Sequence, residues 1–204
     1  MDLDVRHLVM VLFSFAIANT LHEFGHALAA TALGDDTPRS QGRLTLNPID
    51  HLDPMGTVFL VINALMGGLF GWGKPVAINP AKFKDPRAGD TLVTFAGPFM
   101  NLVLACACAF ALRANVFHLA QDSPFVNLLS IGLELNLVLF LFNLIPVPPL
   151  DGAHILANLL PEKASRSYVD FMNQFGMLAL LVVMFGGGYL ISGPLGMLSN
   201  LLLG

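Results

Sequence analysis

His22-Glu23-Phe24-Gly25-His26 stands inside an apolar run covering residues 8–33, a stretch dominated by Val, Leu, Ile, Ala and Phe. Ionisable side chains are costly in a helix that crosses lipid, so their presence there marks a functional site by default. On a helix, positions i and i+4 share a face, so His22 and His26 can hold one metal ion between them. Glu23 lies beside the pair, placed to hold a water rather than to complete the clamp. This is the H-E-x-x-H spacing of a zinc hydrolase, set where water must be admitted through protein.

The rest of the chain supports the membrane reading. Of its 204 residues, 55% are hydrophobic and only 12% charged, with a mean hydropathy of +0.69; a soluble domain carries roughly 25% charged residues. Several apolar runs approach the 20 residues needed to cross a bilayer. The expected architecture is therefore an all-α polytopic membrane protein, a bundle of about five to six transmembrane or re-entrant segments. Residues 1–204 are expected to form a single membrane-embedded domain. A net charge of −4 gives no reason to expect a nucleic-acid partner. Cys106 and Cys108 are the only cysteines and lie in one apolar run, so they read as small buried hydrophobes rather than a disulfide or thiolate site. The first run exceeds 20 residues and lacks a basic start, so it reads as a retained helix and not a signal peptide.

Spans are expected at about residues 5–33, 91–112, 125–144 and 171–191, with Asp90 capping the second. Gly34 and Pro38 bracket a polar stop after the first span. Short strands on the polar side are expected at residues 43–47 and 76–78. The apolar tail 194–203 is too short to cross alone, and either packs in a groove or continues the last helix. The block at residues 55–70 is short for a span and ends among glycines. If it does not cross, Arg39, Arg43, Lys74, Lys82, Lys84, Arg87, Lys163 and Arg166 share one side, against Arg6 and Arg113 on the other. If it crosses, the split falls to seven against three. The positive-inside rule favours a dip without crossing and makes the basic side cytoplasmic.

Two histidines do not finish a catalytic zinc site, which needs a third protein ligand and an open position. Asp151 is the best candidate: Pro146, Pro148 and Pro149 hold the chain extended before it, and Gly152 is expected to let the backbone turn after it. His154, His51 and Glu134 are the rivals. His7 and His118 read as interfacial residues flanking spans.

Five motifs together resemble those of the site-2 protease family, the intramembrane zinc metalloproteases of the M50 class. In order they are His22-Glu23-Phe24-Gly25-His26-Ala27, His51-Leu52-Asp53-Pro54-Met55-Gly56-Thr57, Gly73-Lys74-Pro75-Val76 with Asn79-Pro80, Ala96-Gly97-Pro98-Phe99-Met100-Asn101, and Asn143-Leu144-Ile145-Pro146 with Leu150-Asp151-Gly152. The chain is most similar to short bacterial and archaeal members without PDZ-like or nucleotide-sensing domains. The resemblance implies His22, His26 and Asp151 as ligands of one catalytic Zn2+, Glu23 as the catalytic glutamate, and Asn143 as a helper that holds substrate or the oxyanion. It gives Asn101 a structural or substrate-facing role. It further implies transmembrane substrate proteins as partners, the lipid bilayer of the cell membrane as the setting, and an active site open to the cytoplasmic side. Any regulatory membrane protein or substrate-presenting module is expected to be a separate chain. The alternative is a catalytically silent membrane scaffold or a metal transporter.

Overall fold

The computed structural model describes residues 5–65, 71–114, 120 and 123–204. Four of its helices are long and apolar enough to cross a membrane: α1 (Val5–Ala32), α4 (Pro86–Arg113), α5 (Pro124–Asn143) and α7 (Glu162–Leu203). Between them lie α2 (Thr37–Ser40), α3 (Pro54–Leu65) and α6 (Asp151–Leu159). The chain is an all-α, multi-pass membrane protein.

Local chemistry sets most helix ends. After α1, Gly34 takes a positive φ of 101°. The amide of Asp35 donates to Ala30 O at 2.9 Å and that of Gly34 to Thr31 O at 3.2 Å, the paired bonds of a glycine-terminated helix. The side chain of Asp85 accepts from the amides of Arg87 and Ala88 ahead of Pro86, so α4 begins before the expected cap, Asp90. Ser123 caps α5 through the Val126 amide. Residues 162–170 are polar yet helical, because they form the first turns of α7. That helix runs 42 residues, about 63 Å at 1.5 Å per residue, and so projects its charged start beyond a hydrocarbon core of about 30 Å. The tail continues the helix through Pro194 and packs Leu195, Leu198 and Leu202 against Ala105, Cys108, Ala109, Leu133 and Leu137. Cys108 is buried there and Cys106 exposed, both as free thiols.

In lipid, helices associate through close packing rather than the hydrophobic effect, and small residues permit that approach. The α1–α4 seam is of this kind. A Cβ on Gly25 would lie 2.7 Å from both Ala96 O and Met100 Cγ. Ala18, Ala27 and Ala30 of α1 are wholly buried.

The α3 block leaves and returns at one level. Leu52 and Gly73 form an isolated antiparallel bridge, and the Lys74 amide donates to His51 O at 2.8 Å. Both ends are therefore pinned together. Leu60, midway along α3, packs with Phe15, Ala18 and Leu135 of the spanning helices. The residues flanking the block thus meet while the middle of α3 lies among the spans, an arrangement compatible with the dip that the charge pattern favours. Residues 66–70, which include Gly67 and Gly68, lie outside the described residues, as does His118.

The two expected strands do not form: among the described residues there is no strand. At residues 43–47 and 76–78 the backbone groups that a ladder needs bond side chains instead. His51 Nε2 donates to Thr45 O at 2.8 Å, and the Val76 amide donates to Glu23 Oε2 at 3.1 Å. Arg43, almost fully buried, donates its guanidinium to Asp50 O and Lys74 O. The two polar segments are thus tied to each other and to α1 without pairing as strands.

Candidate metal centre

His22 and His26 lie one turn apart on α1, both buried. Their rings meet edge to face, with centroids 4.7 Å apart, and their Nε2 atoms are 3.1 Å apart. Asp151, the first residue of α6, brings Oδ2 to 3.2 Å from His22 Nε2 and Oδ1 to 3.6 Å from His26 Nε2. One ligand atom from each of the three lies within 4.8 Å of the others. His51 and His154 stay outside the cluster. His51 is completely buried in the knot beneath α3, and the ring of His154 lies 3.5 Å from Asp90. Glu134 is exposed on the outer face of α5. The structure thus brings Asp151, rather than its rivals, to the two histidines.

Hydrogen bonds decide the proton positions. His26 Nδ1 lies 2.8 Å from Val93 O, and a carbonyl only accepts, so that nitrogen carries the proton. His22 Nδ1 lies 2.7 Å from Asn101 Oδ1. The Asn101 amide cannot be turned over, because its Nδ2 donates to Ala18 O at 3.2 Å and to Asn136 Oδ1 at 2.9 Å. Asn136 is fixed in turn by donating to Gly132 O at 2.7 Å. His22 Nδ1 therefore donates too. With the proton on Nδ1, each ring in its metal-binding form turns an Nε2 lone pair toward the other and toward a carboxylate.

Three lone-pair donors facing one another repel unless a proton or a metal cation joins them. Buried Asp151 Oδ2 has no hydrogen-bond partner, which is the mark of such a gap. Zinc bonds of 2.0–2.2 Å in tetrahedral geometry separate neighbouring ligand atoms by about 3.3 Å. The two Nε2 atoms are 3.1 Å apart, and the two carboxylate oxygens of Asp151 lie 3.2 Å from His22 Nε2 and 3.6 Å from His26 Nε2, all near that value. Two imidazoles and one carboxylate are a donor set that zinc accepts, with one position left open. The residues present fit the ion.

Glu23 is buried beside the cluster, with Oε2 held by the Val76 amide. Asn143, at the end of α5, donates its amide to Leu139 O at 3.0 Å within its own helix. Gly152 has no positive φ; its role differs from the expected turn. A Cβ there would fall 2.3 Å from Leu144 O and 2.5 Å from Ile145 O, so glycine lets α6 start hard against the end of α5. The polar loop around the site is fastened at Asp35, which is wholly buried. It accepts from the Asn79 amide at 2.7 Å and from the Thr37 amide and hydroxyl, with Lys82 Nζ 3.4 Å away. Burial alone would raise the Asp35 pKa, but these donors outweigh it and hold the carboxyl below its usual range.

The motif at residues 96–101 marks Asn101 without marking its contact with His22. Gly97 and Asn101 stand four residues apart on α4, one face of one helix, and that spacing was the available signal.

A bundle of apolar helices built around two imidazoles and a carboxylate defines a multi-pass membrane protein with a metallohydrolase-type centre. The model of peptidase family M50 matches residues 114–184. A Bacillus subtilis protein named as a zinc metalloprotease, YwhC, is 40% identical over 178 residues, covering 85% of this chain and 78% of the relative. Rip2 of Mycobacterium tuberculosis, named likewise, is 34% identical over 180 residues, covering 86% of this chain and 66% of the relative. The Methanocaldococcus jannaschii zinc metalloprotease MJ0392 is 30% identical over 105 residues, covering 50% of this chain and 30% of the relative. No solved structure matches the chain significantly. The chain belongs to peptidase family M50.

Proposed function

We propose that this chain is a zinc-dependent endopeptidase that hydrolyses peptide bonds in or near transmembrane segments of other membrane proteins. The observation that carries the reading is the convergence of His22, His26 and Asp151 inside a bundle of spanning helices, with Glu23 adjacent to the pair. His22, His26 and Asp151 are its metal ligands, and the whole chain acts as one membrane-embedded protease domain. Zinc, when bound, supplies Lewis acidity and lowers the pKa of a coordinated water toward 7.

The remaining steps belong to the protein. Asn101 and Val93 O hold the two imidazoles in the tautomer that leaves Nε2 free. Glu23 acts as general base, accepting the water proton and later delivering it to the leaving amine. It already accepts a hydrogen bond from Val76, which keeps its carboxylate beside the site. Asn143 would release Leu139 O to donate to the developing oxyanion. A helical substrate must unwind before its carbonyl can be attacked, and the extended chain around Val76 offers backbone groups for strand addition to the unwound stretch. Residues 33–65, 71–85 and 144–161 share one side of the bundle by helix parity, and that side carries most of the basic residues. We therefore place it in the cytoplasm, with the protein in the cell membrane and the active site open to that face. Regulators, where they act, are separate membrane proteins.

Purified protein reconstituted with zinc into liposomes, together with a labelled model transmembrane peptide carrying central Gly and Asn residues, tests this reading. Cleavage by the parent and none by E23Q is expected. Metal flux without cleavage would replace the protease with a transporter.

A further inference from the structure

Helix α4 supplies no ligand atom to the cluster, yet it touches both imidazoles along one stripe. Val93 O bonds His26, Gly97 lies directly beneath both rings, and Asn101 bonds His22. Steps of four residues keep these three on one helix face. The stripe continues toward the N-terminus to Asp90, three residues before Val93. Asp90 Oδ2 accepts from Asn158 Nδ2 at 2.6 Å and lies 3.5 Å from His154 Nδ1. One turn earlier, Arg87 Nη2 donates to Ala157 O at 3.0 Å and to Leu160 O at 2.6 Å, satisfying carbonyls that the end of α6 leaves open. All four partners lie on α6 or at its C-cap, and α6 begins with Asp151.

From this we infer that Asp90 is a positioning residue for the third metal donor: with Arg87 it clasps the far end of α6 and so sets where Asp151 stands. Helix α4 is then a template for all three donors, orienting the two imidazoles directly and the carboxylate through α6. The lever is short and sensitive. Asn158 lies seven residues from Asp151, about 10 Å along the helix axis, so a 10° swing of α6 would move the carboxylate by about 2 Å. Metal sites tolerate only about 0.2 Å in ligand distance. The start of α6 packs against the end of α5 at Gly152, and the contacts with Asp90 and Arg87 fix its other end, so that the two together set the direction of the helix.

The inference rests on the metal-ligand assignment of the preceding section, and the experiment separates the two. Zinc dissociation constants and the visible d–d absorption of the Co2+-loaded protein are measured in detergent for D90A, D90N and D151A. D90A should weaken zinc binding by about 10–100-fold, the range seen when groups that orient metal ligands are removed, and should alter the Co2+ bands. D90N keeps an oxygen that accepts from Asn158 and should restore affinity and spectrum to near the parent's. If D90A fails to fold, N158A carries the same expectation. Parent-like affinity and an unchanged Co2+ spectrum in the folded D90A or N158A protein overturn the inference. Parent-like affinity in D151A would instead overturn the ligand assignment itself.

Discussion

A β-carbon on Gly97 would stand 2.3 Å from Nε2 of His26, and 2.8 Å from Nε2 of His22. The backbone of α4 is therefore the floor of the metal site, and no side chain fits between that floor and the imidazoles.

Gly97→Ala should accordingly push both rings off their hydrogen-bond acceptors and lower zinc affinity on the order of 10-fold or more, as other losses of ligand orientation do. Alanine is the better helix former by about 1 kcal/mol, so general weakening of α4 is not the expected cause. Zinc titration alongside melting of the metal-free protein checks this; reduced binding with a maintained metal-free melting temperature is the predicted pair.

Glu23→Gln should keep close to one zinc per chain while peptidase activity falls by at least about 10²-fold, the lower range for loss of a general base. The side chain is not among the three converging donors, and an amide oxygen can still accept from Val76. Metal analysis and peptide cleavage on the same preparation decide it. Loss of zinc in E23Q would make Glu23 a ligand.

Asp151→Ala should strip the metal, whereas His154→Ala and His51→Ala should keep it in whatever fraction folds. His51 is a buried structural residue whose ring donates to Thr45 O and whose carbonyl receives the Asn19 amide. Its truncation should therefore appear in melting temperature, at a cost of about 1–3 kcal/mol, and not in zinc stoichiometry.

Stability should depend on pH through Asp35. Its folded pKa is held below the unfolded value of about 3.9. A depressed carboxyl contributes stability fully above the unfolded pKa and loses it as pH falls through the folded pKa. Unfolding midpoints should therefore drop steeply below about pH 4. Asp35→Asn should start about 1–3 kcal/mol less stable at neutral pH and show a shallower acid limb.

Single cysteines at Leu46, Lys84 and Lys163, all exposed, should react from the same side of the membrane in a background lacking Cys106 and Cys108. Arg43 is too buried to serve as the reporter. Labelling at 46 from the side opposite to 84 would mean that the α3 block crosses, against the Leu52–Gly73 bridge.

The features readable from the sequence are those that act over a few residues. The i, i+4 geometry of one helix places His22 and His26 on a shared face wherever that helix packs. Runs of some 20 apolar residues mark the four spans, and Gly34 stops the first through backbone it alone adopts easily. Charge counting favours a dip of the block at residues 55–70, because loop charges report sidedness without any contact being known.

Tertiary structure decided the rest, because the partners lie far apart in the chain. Alternation at residues 76–78 suggests a strand, but the Val76 amide bonds Glu23, 53 residues away. The Asp85 cap pre-empted Asp90, which instead clasps Asn158, 68 residues on. Asn101 orients His22 across 79 residues. Residue type alone left Asp151, His51, His154 and Glu134 as candidates for the third donor. Only the folding of α6 against α4 and the end of α5 brings one carboxylate to both imidazoles, and composition holds no record of that distance.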